Sequence, residues 1–249
     1  MSISSNSVIH YTSKLENLKG ILKESGFKLK YCSELVTLNN NYSLPMATPM
    51  VCFCDIPLSE VKNHIDSYGS YGIGLYKTWA KRSGLNPVLY LEKESEISKL
   101  VEAQVKRLIE LQEKASSDKI LQQTILNIAQ YCKNYEGPLK HGKIDNENYR
   151  FYDEREWRYI PNIEAIGDAP LIIHGDKYNK NKDSFNEKIR DKYLKFEISD
   201  ISYIIVNDDE DIPEILSIIN SDYEEKCTAR QLKVLGTKII TKNQIFNDF

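Results

Sequence analysis

The chain has 249 residues, a formal net charge of −3 and 41% hydrophobic residues. That apolar share excludes wholesale disorder, and the length suffices to bury a core without disulfide or metal staples. The near-neutral balance argues against a non-specific nucleic-acid binder, and no apolar run of about 18 residues is present to span a membrane. The amino terminus, Met1 to Asn6, lacks the basic-then-apolar pattern of a secretory signal. Cys32, Cys52, Cys54, Cys132 and Cys227 are odd in number and have no zinc-ligand spacing. They read as reduced thiols of a cytoplasmic protein, and no metal is expected.

In chain order, Ser7 to Thr12 predicts a short strand, rich in β-formers. Leu15, Leu18, Ile21 and Leu22 then share one helical face. Thr12 or Ser13 is the expected cap of that helix, with Glu16 at capping-box distance, and Gly26 its expected stop. Residues 37 to 48, with three asparagines and Pro45, predict a loop. Met50 to Cys54 predicts a buried strand, and Asp55-Ile56-Pro57 a capped turn into a helix running to about His64. Tyr68 to Leu75 predicts a glycine-rich loop entering a strand, and Val88 to Leu91 another strand. Two helical patterns follow, Ile97 to Ile109 and Ile120 to Ala129, with a break at Ser116-Ser117 and a cap at Ser117 or Asp118. They predict a helical hairpin inserted at 93–138. Tyr149 to Pro161 alternates aromatics with charges, as a strand with two unlike faces would. Residues 175 to 192 predict a flexible loop or loose helix. Strands are expected at Phe196 to Ile198, Ile201 to Val206 and Lys238 to Thr241, and a helix from Pro213. Strands and helices mix without regular βαβ alternation, which predicts a single α+β domain with a mixed or antiparallel sheet.

Glu154-Arg155-Glu156-Trp157-Arg158 is the segment richest in chemistry. On a strand, Glu154, Glu156 and Arg158 would share one face, a group costly to bury without a ligand or partner. Such carboxylates can accept hydrogen bonds from sugar hydroxyls and stabilise a cationic transition state. They can equally be a salt-bridged edge strand. His10, at a strand-to-helix junction, is a candidate pocket residue or a satisfied structural histidine. His64, His141 and His174 form no zinc-type pair. Tyr68 to Gly74 is neither a dinucleotide fingerprint nor a P-loop, but its glycines permit close approach and its tyrosines offer stacking faces. A metal-dependent nuclease using Asp153, Glu154 and Glu156 is disfavoured, because Asp153 would point away from the other two.

His10-Tyr11-Thr12, Phe53-Cys54-Asp55-Ile56-Pro57-Leu58, Tyr68 through Tyr76, Asp153 to Arg158 and Lys238 to Ile245, in that order, resemble the AbiGi family. The resemblance implies a part in abortive-infection defence against phage, on the antitoxin side of a two-gene system. More distantly, the His-x-Thr strand, the Tyr/Gly strand and the late Glu-x-Glu strand resemble the ADP-ribosyltransferase layout. That likeness implies NAD as a substrate, with transfer of ADP-ribose or NAD hydrolysis. His10 and Thr12 would hold ribose, Tyr68 or Tyr71 would stack, Glu156 or Glu154 would be catalytic, and Arg158 would lie in the same pocket. The alternative is a non-catalytic regulator that binds a toxin or phage component through the helical hairpin.

Overall fold

The computed structural model describes residues 5–39, 42–113, 119–141 and 144–249. Its elements in chain order begin with β1 (Ser7–Thr12), α1 (Leu15–Glu24), β2 (Gly26–Lys28), β3 (Lys30–Asn39) and β4 (Tyr42–Cys54). Next come α2 (Lys62–Tyr68), β5 (Tyr71–Tyr76), α3 (Lys77–Arg82), β6 (Asn86–Pro87) and β7 (Leu89–Leu91). The helices α4 (Glu96–Glu113) and α5 (Lys119–Gln130) lead to β8 (Cys132–Asn134), β9 (Gly137–His141), β10 (Ile144–Tyr149) and β11 (Glu156–Tyr159). The last third holds α6 (Ile163–Ile166), β12 (Ile173–His174), α7 (Gly175–Lys180), α8 (Lys182–Glu187), β13 (Tyr193–Lys195), β14 (Ile201–Val206), α9 (Ile212–Tyr223), α10 (Ala229–Gly236), β15 (Ile239–Thr241) and α11 (Lys242–Asp248).

The main sheet runs β15-β14-β5-β1-β4-β11-β6, with β3 and β12 also paired to β4. Only β14 and β15 are parallel within it, so the sheet is mixed and the α+β expectation holds. Its core joins Val8, Ile73, Leu75, Ile204 and Val206 to α1 through Leu18 and Leu22, and to α9 through Ile215 and Ile219. On β5 the alternate residues Gly72 and Gly74 leave room for neighbouring aromatics. A Cβ at Gly72 would stand 3.1 Å from the Tyr11 ring, and one at Gly74 2.9 Å from Ser202 Oγ.

β4 is the longest strand, and it changes neighbour partway. Ile9 of β1 pairs with Cys54, whereas β3 takes over the pairing from Met50 down to Tyr42. Between the two, the β4 backbone lacks a strand partner on that side, and a side chain fills the gap: His10 Nδ1–H donates to the Cys52 carbonyl at 2.8 Å. Burying a carbonyl unpaired is costly, so the histidine completes the sheet where the strands part.

Several local expectations are corrected. The loop expected at 37–48 is the strand hairpin β3–β4, apart from residues 40 and 41, which lie outside the described residues. Pro45 and Pro49 are tolerated there because β4 has a continuous partner only on the β3 side, β12 covering just Met46 and Ala47. Helix α1 has Lys14, not Thr12 or Ser13, at its N-cap, and ends at Ser25 in a left-handed turn (φ 44°), one residue before Gly26. Asp55 caps no helix; it takes the ammonium of Lys77 at 2.6 Å. The expected break at Ser116-Ser117 and its cap fall outside the described residues. Phe196 to Ile198 is not a strand, the pairing strand being β13 just before it. Among the described residues no helix is long and apolar enough to cross a membrane.

Candidate functional site

One cavity of about 480 Å³ opens beside the place where β1 and β3 exchange on β4. β1 supplies His10 and Tyr11, β4 supplies Cys52 to Cys54, and α2 supplies His64 and Tyr68. Lys133 and Asn134 enter from β8, Glu34 from β3, and Glu154 and Glu156 from either side of a turn. Thus His10, Tyr68, Glu154 and Glu156 are brought together, although more than 140 positions separate the first from the last.

The strand expected across Tyr149 to Pro161 is interrupted. Phe151–Glu154 is a single 3₁₀ turn, Arg155 is left-handed (φ 48°), and β11 starts at Glu156. Glu154 therefore does not share a strand face with Glu156 and Arg158. It reaches the same place because Arg155 reverses the backbone, a conformation uncommon outside glycine and asparagine. Asp153 points elsewhere, at the Arg150 guanidinium 3.8 Å away on the surface, so the three acids do not converge.

Both carboxylates are engaged inside the protein. Glu156 Oε1 accepts from Arg158 Nε at 2.5 Å, and its Oε2 accepts from Lys133 Nζ at 2.8 Å and Arg158 Nη2 at 3.2 Å. Glu154 Oε2 accepts from Lys133 Nζ at 2.6 Å, while its Oε1 accepts from the Tyr68 hydroxyl. Arg158 is fully buried beneath the cavity and does not line it. Its remaining donors reach Glu34 Oε1 at 3.1 Å and the Gln130 carbonyl at 2.9 Å. Burial alone would raise the Glu156 pKa, but Arg158 and then Lys133 reverse this and hold it well below the usual carboxylate range. Burial would likewise discharge Lys133, and Glu156 and Glu154 more than offset it, so the ammonium stays charged. Three carboxylates thus meet two cations, and the cluster is one unit negative.

The rest of the lining is mostly apolar, with aromatic rings grouped around the two histidines. Tyr11 meets His64 edge-on at 5.4 Å, and His64 stacks on Tyr68 at 4.5 Å. His10 packs edge-on against Phe27 at 5.1 Å and Phe53 at 5.7 Å. Burial, then the Lys133 charge, pushes His64 down to about 3, and burial lowers His10 as well, so both imidazoles are neutral at neutral pH. With a carbonyl as its Nδ1 partner, His10 carries its proton there.

Two expected site residues lie elsewhere. Thr12 Oγ1 accepts from Asn17 Nδ2 at 2.7 Å at the start of α1, and the Tyr71 hydroxyl is bonded to Asp211. Neither lines the cavity. Gly69 (φ 122°) explains why Tyr68 and Tyr71 separate: the chain turns hard against β1 there, with Thr12 O only 2.3 Å from where a Cβ would sit. Lys133, Glu34, Tyr11 and His64 are site residues that sequence reasoning missed. The available signal was a charge imbalance: two acids and one arginine destined for burial require a second cation.

The family described as "Putative abortive phage resistance protein AbiGi, antitoxin" matches residues 25–207. A relative named "Abortive phage resistance protein AbiGi", from Lactococcus lactis subsp. cremoris, is 28% identical over 221 residues, covering 81% of this chain and 88% of its own length. No solved structure matches. The matched stretch contains α1's exit, the β3–β4 hairpin, the α4–α5 pair and every acid and cation of the buried cluster, and on that ground the chain belongs to the AbiGi family of abortive phage resistance proteins.

Proposed function

We infer that the chain acts in phage defence as the non-catalytic, antitoxin-side partner of a toxin. The observation that carries this reading is the closed hydrogen bonding of the two acids. Every oxygen of Glu154 and Glu156 already accepts from Lys133, Arg158 or Tyr68. A general acid needs a pKa near the working pH, and Glu156 is shifted the opposite way. Contact with the toxin is assigned to the α4–α5 pair, where Ile97, Leu100 and Ile128 are each more than half exposed.

The test is co-expression with the partner toxin. His10→Asn and Tyr68→Phe should leave neutralisation intact, whereas Leu100→Asp with Ile128→Asp should abolish it without unfolding the protein. Loss of neutralisation in the cavity variants, together with NAD consumption by the wild type, would overturn the reading.

A second reading is an NAD-consuming enzyme. It is favoured by the meeting of His10, Tyr68, Glu154 and Glu156 on one cavity. In that reading His10 holds ribose, Tyr68 stacks and Glu156 stabilises the developing cation, while Thr12, Tyr71 and Arg158 fall out of the site. Incubation with labelled NAD, with and without the toxin, comparing wild type with Glu156→Gln, decides it.

A further inference from the structure

The Tyr11 side chain is 8% exposed and lines the cavity, yet its hydroxyl has no hydrogen-bond partner among the described residues. His64, next to it, meets Tyr11 edge-on and stacks on Tyr68 but makes no hydrogen bond among those residues. Buried polar groups are ordinarily paired, so the unpartnered Tyr11 hydroxyl, with the partly buried His64 imidazole beside it on the cavity wall, marks where a ligand's polar atoms belong. A neutral imidazole offers one donor and one acceptor, and a phenol offers both. Their complement is a ligand edge that carries donor and acceptor side by side, as a lactam or amidine does.

The remaining lining narrows the class. Tyr68, Phe53 and Phe151 provide flat apolar faces, which suit a planar ring. Glu34 keeps one oxygen without a partner in the cluster and is the most exposed of the three acids, at 19%, so it can accept from a hydroxyl. The one-unit negative excess of the cluster, whose acids line the cavity, opposes a phosphate there. The volume of about 480 Å³ lies toward the lower end of the range of about 300–1,000 Å³ that holds small organic ligands.

We propose that this cavity binds a phosphate-free nucleoside or nucleobase, its ring edge on Tyr11 and His64, its face on the aromatic lining and its hydroxyls toward Glu34. The site rests on the non-catalytic reading in one respect: the ligand is held and not converted. The phosphate-free class is set by charge, so a nucleoside should outbind its own 5′-monophosphate by at least tenfold.

The experiment is calorimetric titration of the full-length protein with adenosine, guanosine, cytidine, uridine and thymidine, and with each 5′-monophosphate and NAD. At least one nucleoside is expected to bind, and Tyr11→Phe and His64→Phe should each weaken it tenfold or more while Tm stays within a few degrees of wild type. A monophosphate or NAD that binds tighter than every nucleoside would overturn the proposal, as would an unchanged Kd in both variants. Absence of nucleoside binding with toxin neutralisation intact would sink this site and leave the non-catalytic reading standing. Chromatography of the recovered ligand separates the other case: a chemically altered nucleoside would sink the non-catalytic reading and leave the binding site standing.

Discussion

The two linings of the cavity are built on opposite terms. On the acidic side, Glu34, Arg158, Glu156, Lys133 and Glu154 are joined by short, mutually satisfied contacts. On the aromatic side, the Tyr11 hydroxyl is enclosed without a hydrogen-bond partner among the described residues, and the partly buried His64 meets only rings. The first arrangement is one that fails if any member is removed, because an orphaned buried charge costs more than the pair was worth. The second should tolerate removal, because no hydrogen bond among the described residues depends on those polar atoms. The charges hold the fold together, and on the binding proposal above the rings would meet the ligand, with scaffold and recognition on different sides of one hollow.

The contrast breaks most visibly at Arg158. Arg158→Met should destabilise the fold by about 3–5 kcal/mol in urea denaturation, since Glu156 Oε1 and the Gln130 carbonyl lose their donor deep inside the protein. An effect under 1 kcal/mol would mean the cluster is hydrated. Lys133→Met should cost less, about 2–3 kcal/mol, because Glu156 keeps Arg158 and Glu154 keeps Tyr68. Adding Glu154→Gln to that variant should recover part of the loss, and a double-mutant cycle measures the coupling.

Acid sharpens the comparison next. His64 is held neutral with its pKa near 3 against an ordinary 6.5, and His10 shifts in the same direction. Between those two pH values the unfolded chain takes up a proton that the folded chain refuses. Stability should therefore fall as pH drops below about 6.5, with a slope of up to about 1.4 kcal/mol per pH unit for each such histidine. The depressed Glu156 adds a further loss below the ordinary carboxylate range of about 4.5, since its stabilisation belongs to the charged form. His64→Gln should flatten the leg between pH 6.5 and 4.5; an unchanged curve would show the imidazole to be hydrated.

The smallest effect belongs to the unjoined side. Tyr11→Phe should change stability by less than about 1 kcal/mol, and in the stabilising direction, because it removes a hydroxyl that has lost water without gaining a partner. A loss of 2 kcal/mol or more in thermal unfolding would reveal a bond to that hydroxyl.

Which parts were legible follows from how local their causes are. β1, α1, β14 and α9 follow from runs of β-formers and from Leu15, Leu18, Ile21 and Leu22 at helical spacing. The β3–β4 hairpin was masked by Asn39 and Pro45, residues that usually interrupt strands, and its formation depends on which flank of β4 lacks a partner. The candidate site was half readable. The acid-rich segment and His10 stood out by composition, but the turn at Arg155 that brings Glu154 round is a left-handed conformation no residue pattern announces. Lys133 carried no local mark, since its role arises only when β8 is brought up to Glu156 at the start of β11 and to Glu154 in the turn before it.

The path of the chain out of α5 has one more implication. Gln130 ends the helix and, three residues on, Lys133 and Asn134 enter the cavity wall, Asn134 also clasping both backbone groups of Thr37, at 2.8 and 2.6 Å. The helical excursion is accordingly no detachable appendage. Excising residues 94–134 would strip the acids of their ammonium and unfasten β3 at the same stroke. A partner pulling on α4 and α5 tugs first at the hollow's own counter-charge.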